Sequence, residues 1–527
     1  MNWTRLTRLL PSLVAIGALA LVLTACDGLS DFGDMNQDPT STNNLSPGIE
    51  FSTIQLGTAG SRYEVWRHNL IYTAQIAQQV VHPGGVGAGS QNGYVSSWSG
   101  AFFGANYYGG ANGNNITANV KNIVNLVNRL EGQPDQVNRL AAARIWKALI
   151  FQRLTDTYGD VPYFEAGQGA IDGNFSPAYT PQEEIYEDLH RELRAAVNQF
   201  DSSRPMYGSS DLVFGGDIEK WKQFANSLQL RLAMRIKDVE PDSARIWAEE
   251  AINSGVMQGM EDEVYINHQN GPTSNSAVAY NTNAIGEVCE AFRGSCPYLS
   301  EEMVTWMKDN NDPRLPHVGA VFAVGEASDA ETDPAAQKGM PAGVTTTELP
   351  DDPGTYSRIN PNLTDLDDPF YLLSYAEVEF MLAEAQVEWG IAPNSAEAHY
   401  EAGVEAAMKK LERYGSASFT SSEIKNYYNN SNPFPSGEEA QLEAINTQYW
   451  AATFPHGLEA WANWKVTGYP ELTPPDEQGS TQGQIIRRLA YPQEEGDLNS
   501  DNYNEALNRQ GITQSNRLTA RMWWDAQ

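Results

Sequence analysis

Residues 383–411 read A-E-A-Q-V-E-W-G-I-A-P-N-S-A-E-A-H-Y-E-A-G-V-E-A-A-M-K-K-L, and this stretch predicts two antiparallel helices. The Pro and Asn at 393–394 interrupt the helical pattern and indicate a turn. Small residues on both sides, at Ala383, Ala402, Gly403 and Ala406, allow the helix axes to approach closely. We therefore expect a tightly packed helix pair at the centre of this half of the chain.

Helical periodicity recurs along the sequence, so we predict an all-α fold. The pair at 371–414 is similar to a tetratricopeptide-type repeat of about 34 residues, with an ordinary helical hairpin as the alternative. At 180–184, T-P-Q-E-E predicts an N-cap at Thr180, a proline in the first turn and early acids. The predicted helices cover 139–158, 180–200, 218–236, 242–254, 369–389, 395–414 and 437–454.

The composition narrows the class of protein. The chain has 527 residues, of which 41% are hydrophobic and 10% aromatic, so it can bury a substantial core and is neither disordered nor fibrous. Its 67 acidic residues against 34 basic ones give a net charge of −33. Such a surface repels phosphate, which excludes nucleic acid as a partner.

The first residues predict export. Arg5 and Arg8 precede an apolar run at 13–23, which is typical of a signal peptide covering 1–25. The following L-T-A-C resembles a bacterial lipobox, so Cys26 is the predicted lipidation site; an unlipidated signal peptide is the alternative. A polar stretch completes a tether at 26–48. No other apolar run reaches the length needed to span a bilayer, so we expect an anchored protein.

Two further cysteines, Cys289 and Cys296, are separated by seven positions. Export places them in an oxidising compartment, where a disulfide is favoured and closes a small loop. Free thiols are the alternative. A metal site is disfavoured because no histidine or further cysteine lies close by in the sequence.

Two long polar segments carry the candidate ligand residues. Residues 82–115 are rich in glycine and aromatic residues, and residues 257–368 mix proline, asparagine and aspartate with further aromatic residues. Aromatic faces beside polar groups suit sugar rings or extended peptides, although some of these rings must instead anchor the segments to the core. Composition and position select Trp98, Tyr107, Tyr108, Phe292, Arg293 and Tyr298 as ligand-binding residues.

Catalytic and cofactor motifs are missing from the sequence. It contains no G-x-x-x-x-G-K-[ST], H-E-x-x-H or G-x-S-x-G. We therefore predict no enzyme, no cofactor and no metal site, and interpret the aspartates at 351–352 and 365–368 as solvated acidic loops rather than calcium ligands. A secreted helical glycoside hydrolase is kept as a minor alternative, although no carboxylate pair can be singled out.

Several longer motifs carry a family resemblance. They are F-G-D-M-N-Q-D-P-T at 32–40, Y-G-D-V-P-Y-F-E-A at 158–166, W-K-Q-F-A-N-S-L-Q-L-R-L-A-M-R at 221–235, F-P-H-G-L-E-A-W-A-N-W-K-V-T-G-Y-P at 454–470 and R-R-L-A-Y-P-Q-E-E at 487–495. Together with the lipobox, and in this order, they resemble the SusD/RagB family of outer-membrane lipoproteins.

The resemblance implies a single helical domain at 49–527, with about four tetratricopeptide-like helix pairs on one side and irregular ligand-binding loops on the other. It also implies a cell-surface, outer-membrane location through Cys26. The implied role is to bind an oligosaccharide or a peptide and to act as the lid of a SusC-like TonB-dependent transporter. A tetratricopeptide lipoprotein that binds only proteins is the alternative. The best-matched motifs are expected to determine the fold rather than to bind ligand.

Overall fold

The computed structural model describes residues 45–109, 119–271, 282–291, 296–323, 327–349, 352–415, 417–475 and 479–526. The predicted signal peptide, Cys26, Phe292 and Arg293 lie outside these residues. From Pro47 onwards the chain forms one compact unit.

The first half of the chain is dominated by helices. Its elements are α1 (Pro47–Ala59), α2 (Arg62–Val65), a π-helix (Trp66–Thr73), α3 (Ala74–Ile76), β1 (Val80–Val81), α4 (Ser96–Ser99), α5 (Ala101–Tyr108), α6 (Asn119–Leu130), α7 (Val137–Tyr158), β2 (Val161–Pro162), β3 (Tyr179–Thr180), α8 (Gln182–Gln199), α9 (Ile218–Arg235), α10 (Pro241–Ser254) and β4 (Val264–Ile266).

The second half begins with mixed structure and returns to helices. Its elements are α11 (Ala284–Ala291), β5 (Tyr298–Leu299), α12 (Glu301–Asp309), α13 (Leu315–Val318), β6 (Gly319–Val321), β7 (Ser357–Ile359), β8 (Phe370–Leu373), α14 (Tyr375–Trp389), α15 (Ala396–Glu412), α16 (Ser421–Asn426), a second π-helix (Tyr427–Ser431), α17 (Glu438–Ala452), α18 (Gly457–Thr467), α19 (Gln493–Leu498) and α20 (Ser500–Arg509).

The helical prediction is confirmed, and within the described residues four pairs of longer helices are joined by short connections: α6 with α7, α9 with α10, α14 with α15, and α17 with α18. In the α14–α15 pair, Gly403 faces the ring of Phe380 so closely that a Cβ at Gly403 would lie 2.6 Å from it. The small residue therefore sets the distance between these two helices, as the sequence predicts.

Two predicted helix starts are wrong. Phe370–Leu373 is a strand whose Leu373 pairs with Val264, and α14 starts only after Ser374, which forms a capping box with Glu377. Thr180 pairs with Val161 in a small sheet, so Pro181 and not Thr180 is the N-cap of α8. In both places a tertiary β-pairing takes residues that local sequence assigns to the helix.

The strands form small antiparallel sheets around the helical body. The largest described sheet has the order β1-β5-β7-β6, with Val80 opposite Leu299 and Gly319 opposite Ile359. The pairing of β1 with β5 places the segment that precedes α4 next to the segment that follows α11. Among the described residues, no helix combines the length and the apolar character that a bilayer crossing requires.

Buried charges join the helices at the centre of the molecule. Glu459 on α18 accepts hydrogen bonds from Arg231 at 3.2 Å and from Arg235 at 2.5 Å, both on α9. Arg231 also donates to Glu377 on α14 at 2.8 Å, and Arg235 lies 3.4 Å from Asp156 on α7. Arg231 and Arg235 belong to the motif at 221–235 and Glu459 to the motif at 454–470, so residues of these two motifs join helices at the centre of the molecule.

Candidate ligand-binding surface

The segment Arg62–Thr73 forms the base of the candidate site. Ser61 caps the short helix α2 by accepting a hydrogen bond from the Glu64 amide at 3.3 Å, and the chain continues directly into the eight-residue π-helix. π-helical turns are rare and occur frequently at functional sites. Helices α4, α5 and α11 all pack against this segment.

Four half-buried side chains, Tyr63, Trp66, Arg67 and Trp98, form what we call the aromatic surface. Trp66 and Trp98 lie 6.5 Å apart between ring centroids, with their planes at 41°. The guanidinium of Arg67 lies 5.6 Å from the ring centroid of Tyr63. The surface thus offers flat apolar faces next to a group that is always a cation and a hydrogen-bond donor.

The aromatic residues predicted to bind ligand in 82–115 differ in their exposure and contacts. Trp98 lies on α4 and belongs to the aromatic surface, and Tyr108 on α5 is 45% exposed. Tyr107 instead donates a hydrogen bond to the Pro162 carbonyl at 2.5 Å and packs on Phe103, with 4.4 Å between centroids. The segment is also not a continuous loop, because α4 and α5 lie within it.

Helix α11 connects the aromatic surface to a second part of the site. Its buried Glu287 lies 3.8 Å from the guanidinium of Arg62 and accepts a hydrogen bond from Thr282. Burial raises the pKa of Glu287, while Thr282 and Arg62 oppose that rise. Phe292 and Arg293 follow this helix in the sequence and lie outside the described part.

A cavity of about 530 Å³ lies at the other end of α11. Cys289 and Cys296 form a disulfide in its wall, with 4.5 Å between their Cα atoms. The remaining lining includes Asn270, Glu290, Phe322, Arg358 and Asp365. Its size is within the range of small-molecule pockets, and its lining mixes apolar surface with a few charged groups.

Tyr298 supports this cavity from behind and is not exposed to it. It is buried in a small cluster with Val81, Met340 and Tyr356. Arg358, which lines the cavity, lies 3.9 Å over the Tyr298 ring and donates to the Cys296 carbonyl at 2.9 Å. Burial lowers the pKa of Arg358 and Tyr298 opposes that fall. The position of Tyr298 thus corresponds to a packing residue that orients Arg358, rather than to a ligand contact.

Sequence reasoning missed Tyr63, Trp66, Arg67 and Arg358. The first three lie in S-R-Y-E-V-W-R, where aromatic and cationic residues recur at spacings of three and four and so share one helix face. That signal was available in the sequence. Arg358 had no such signal, because only the pairing of β7 with β5 and β6 brings it to the cavity.

Comparison with known proteins agrees with this architecture. The family model described as "Starch-binding associating with outer membrane" matches residues 40–492. The chain belongs to the SusD-like family. A search of curated proteins gives no match.

Solved SusD-like structures resemble the chain over nearly its whole length. A chitin-binding protein is 32% identical with a TM-score of 0.78, covering 92% of this chain and 100% of that chain. A SusD-like protein of Bacteroidetes AC2a is 28% identical with a TM-score of 0.81, covering 92% and 100%. A chitin-binding SusD homologue from Flavobacterium johnsoniae is 25% identical with a TM-score of 0.73, covering 91% and 98%.

Proposed function

We propose that this SusD-like protein captures an oligosaccharide at the cell surface and delivers it to a SusC-like TonB-dependent transporter, for which it acts as a lid. The proposal is based on the aromatic surface, where the rings of Trp66 and Trp98 lie at an angle to each other and Arg67 lies over the ring of Tyr63. Sugar rings stack on such faces through their C–H groups, while their hydroxyls accept hydrogen bonds from nearby cations. The protein binds its ligand without making or breaking a bond.

The first ligand to test is a β-linked oligomer of N-acetylglucosamine, because two of the solved relatives are described as chitin-binding. Each aromatic contact adds only about 0.5–1.5 kcal/mol beyond surface burial. A site with two such rings is therefore expected to bind with modest affinity and to release its cargo readily, which suits a protein that passes ligand on. A peptide ligand is the second candidate.

The experiment compares single variants by calorimetric titration with the N-acetylglucosamine oligomer. Trp66→Ala and Trp98→Ala should each weaken binding by about three- to tenfold, since each removes one stacking contact. Trp247→Ala is the matched control, because Trp247 is also half-buried, stacks on His190 at 4.2 Å and lies on α10. Thermal unfolding of all three variants separates a loss of folding from a loss of ligand contact.

Three outcomes would contradict the proposal. Binding equal to that of the original protein in both variants would remove the aromatic surface from ligand capture. Failure to bind anything on an array of glycans and peptides would favour the protein-only scaffold. Release of reducing ends from a polysaccharide would indicate the glycoside hydrolase instead.

A further inference from the structure

A second cavity, of about 220 Å³, lies between the chain preceding α4 and the C-terminal segment. Its lining includes Tyr94, Arg488, Tyr491, Tyr503 and Arg517. All its lining residues belong to the described part of the chain, and none of them is Asp or Glu. In a protein with 67 acidic and 34 basic residues, a cavity with two arginines and no acid in its wall is unexpected.

Arg488 is fully buried, yet no carboxylate of the described residues lies within 4.0 Å of its guanidinium. It donates to Gln510 at 2.9 Å and to the Tyr158 carbonyl at the end of α7, and its Nε has no partner among the described residues. Buried charges are ordinarily paired. The C-terminal end of α7 supplies only about half a negative charge, so the positive charge of Arg488 is only partly compensated.

Arg517 adds a second cation at the rim. Its guanidinium lies 4.3 Å over the ring of Tyr94, and its Nε donates to the Gln514 carbonyl at 3.0 Å. Within the described residues it has no carboxylate within 4.0 Å either. Because Arg517 is half-buried and the neighbouring Gln514 is exposed, a ligand can reach this cation from solvent.

Two acids interact electrostatically with lining residues, Asp160 with Arg488 and Glu495 with Tyr503, and both already have other partners. Asp160 pairs with Arg509 at 2.8 Å, and Glu495 accepts a hydrogen bond from the Tyr179 hydroxyl at 2.6 Å. Neither lines the cavity. A negative charge that compensates Arg488 and Arg517 together is therefore absent from the cavity wall and fits the cavity itself.

The rest of the cavity wall can accommodate a sugar ring. The rings of Tyr491 and Tyr503 lie at 84° to each other with 6.0 Å between centroids. The lining is completed by Ala490, Leu507, Ile512, Thr513 and Gln514. At roughly 30 Å³ per water, the cavity replaces about seven waters, which is the scale of one sugar unit. We propose that this cavity binds one carboxylate-bearing sugar unit, a uronic acid, with its carboxylate directed to the two arginines and its ring against the tyrosines.

The test is a calorimetric titration of the mature protein with methyl β-glucuronide and with methyl β-glucoside, which share the ring and differ in the carboxylate. We expect the glucuronide to bind with a Kd of about 1 mM or tighter and the glucoside at least about tenfold more weakly. Arg517→Gln should weaken glucuronide binding at least about tenfold, and added salt should weaken it as well. Arg521→Gln is the matched control, because Arg521 is half-exposed, pairs with Asp525 at 3.2 Å and does not line the cavity.

Equal affinity for the two sugars, no heat from the glucuronide, or an unchanged Kd in Arg517→Gln would each overturn the assignment. Acetate that binds as tightly as the glucuronide would also overturn it, since the ring would then contribute nothing. Because Arg517 lies at the rim, thermal unfolding should not change in its variant. Trp66→Ala and Trp98→Ala should leave glucuronide binding intact, so failure here is distinguishable from failure of the proposed capture function.

Discussion

A single glycine, Gly403, allows helices α14 and α15 to pack closely. A Cβ on Gly403 would lie within 2.8 Å of three atoms of the Phe380 ring, which is itself fully buried. Gly403→Ala adds about 1 kcal/mol of helix propensity but overpacks the contact by about 1–3 kcal/mol. We expect a lower free energy of unfolding in urea. Glu405→Ala, on the exposed side of α15, should change it by less than about 0.5 kcal/mol.

We expect Glu495 to make the free energy of unfolding depend on pH. Burial raises the pKa of its carboxyl from 4.5 to about 7, opposed by a hydrogen bond from Asn499. The folded state then binds a proton that the unfolded state releases, so the contribution of Glu495 to stability is full below pH 4.5 and is lost as pH rises through about 7. Glu495→Gln keeps an acceptor for Tyr179 and should flatten this decline.

The measurement is the free energy of unfolding in urea across this pH interval. Glu495→Gln should be more stable than the original protein on the alkaline side by about 1–3 kcal/mol, and the two should converge on the acid side. A parallel pH profile in the two proteins would show that Glu495 is charged in the folded state at neutral pH.

Between helices α18 and α9, a single carboxylate forms salt bridges with two arginines. Glu459 on α18 contacts both Arg231 and Arg235 on α9, and both arginines are buried. Glu459→Gln would leave buried positive charge insufficiently compensated, which costs about 3–5 kcal/mol. We expect a correspondingly lower melting temperature. Glu250→Gln is the control, since its pairing with Arg194 at 3.2 Å is on the surface and contributes at most about 1 kcal/mol.

A comparison of predicted and observed elements shows which of them local sequence signals can predict. The helices at 137–158, 218–235 and 396–412 agree with their predicted ranges within a few residues, because an apolar stripe and a cap are local signals. The strands at Phe370–Leu373 and Tyr179–Thr180 were missed. Each is short and pairs with a distant segment, so nothing nearby in the sequence specifies it.

For the whole molecule, a lipid anchor at Cys26 is a prediction that cell fractionation can test. The family is described as associating with the outer membrane, and Cys26 follows a predicted signal peptide. Cys26→Ser removes the thiol that a lipid would be attached to, so we expect the protein to move from the membrane fraction to the soluble fraction of the cell. An unchanged membrane fraction would contradict a lipid anchor at this residue, whereas calorimetric ligand binding by the purified variant should be the same.

The helical class, the helix pairs and the family can be predicted from the sequence, because periodicity, caps and long contiguous motifs are all visible along the chain. The sequence also singled out Trp98, which the structure places on the aromatic surface beside Trp66. Tertiary packing, and no local signal, places Tyr298 against Arg358 and joins Tyr107 to Pro162. It also buries Arg488 with no carboxylate of the described residues within 4.0 Å. Burial and charge pairing depend on segments that are far apart in the sequence, and these come together only when the chain packs.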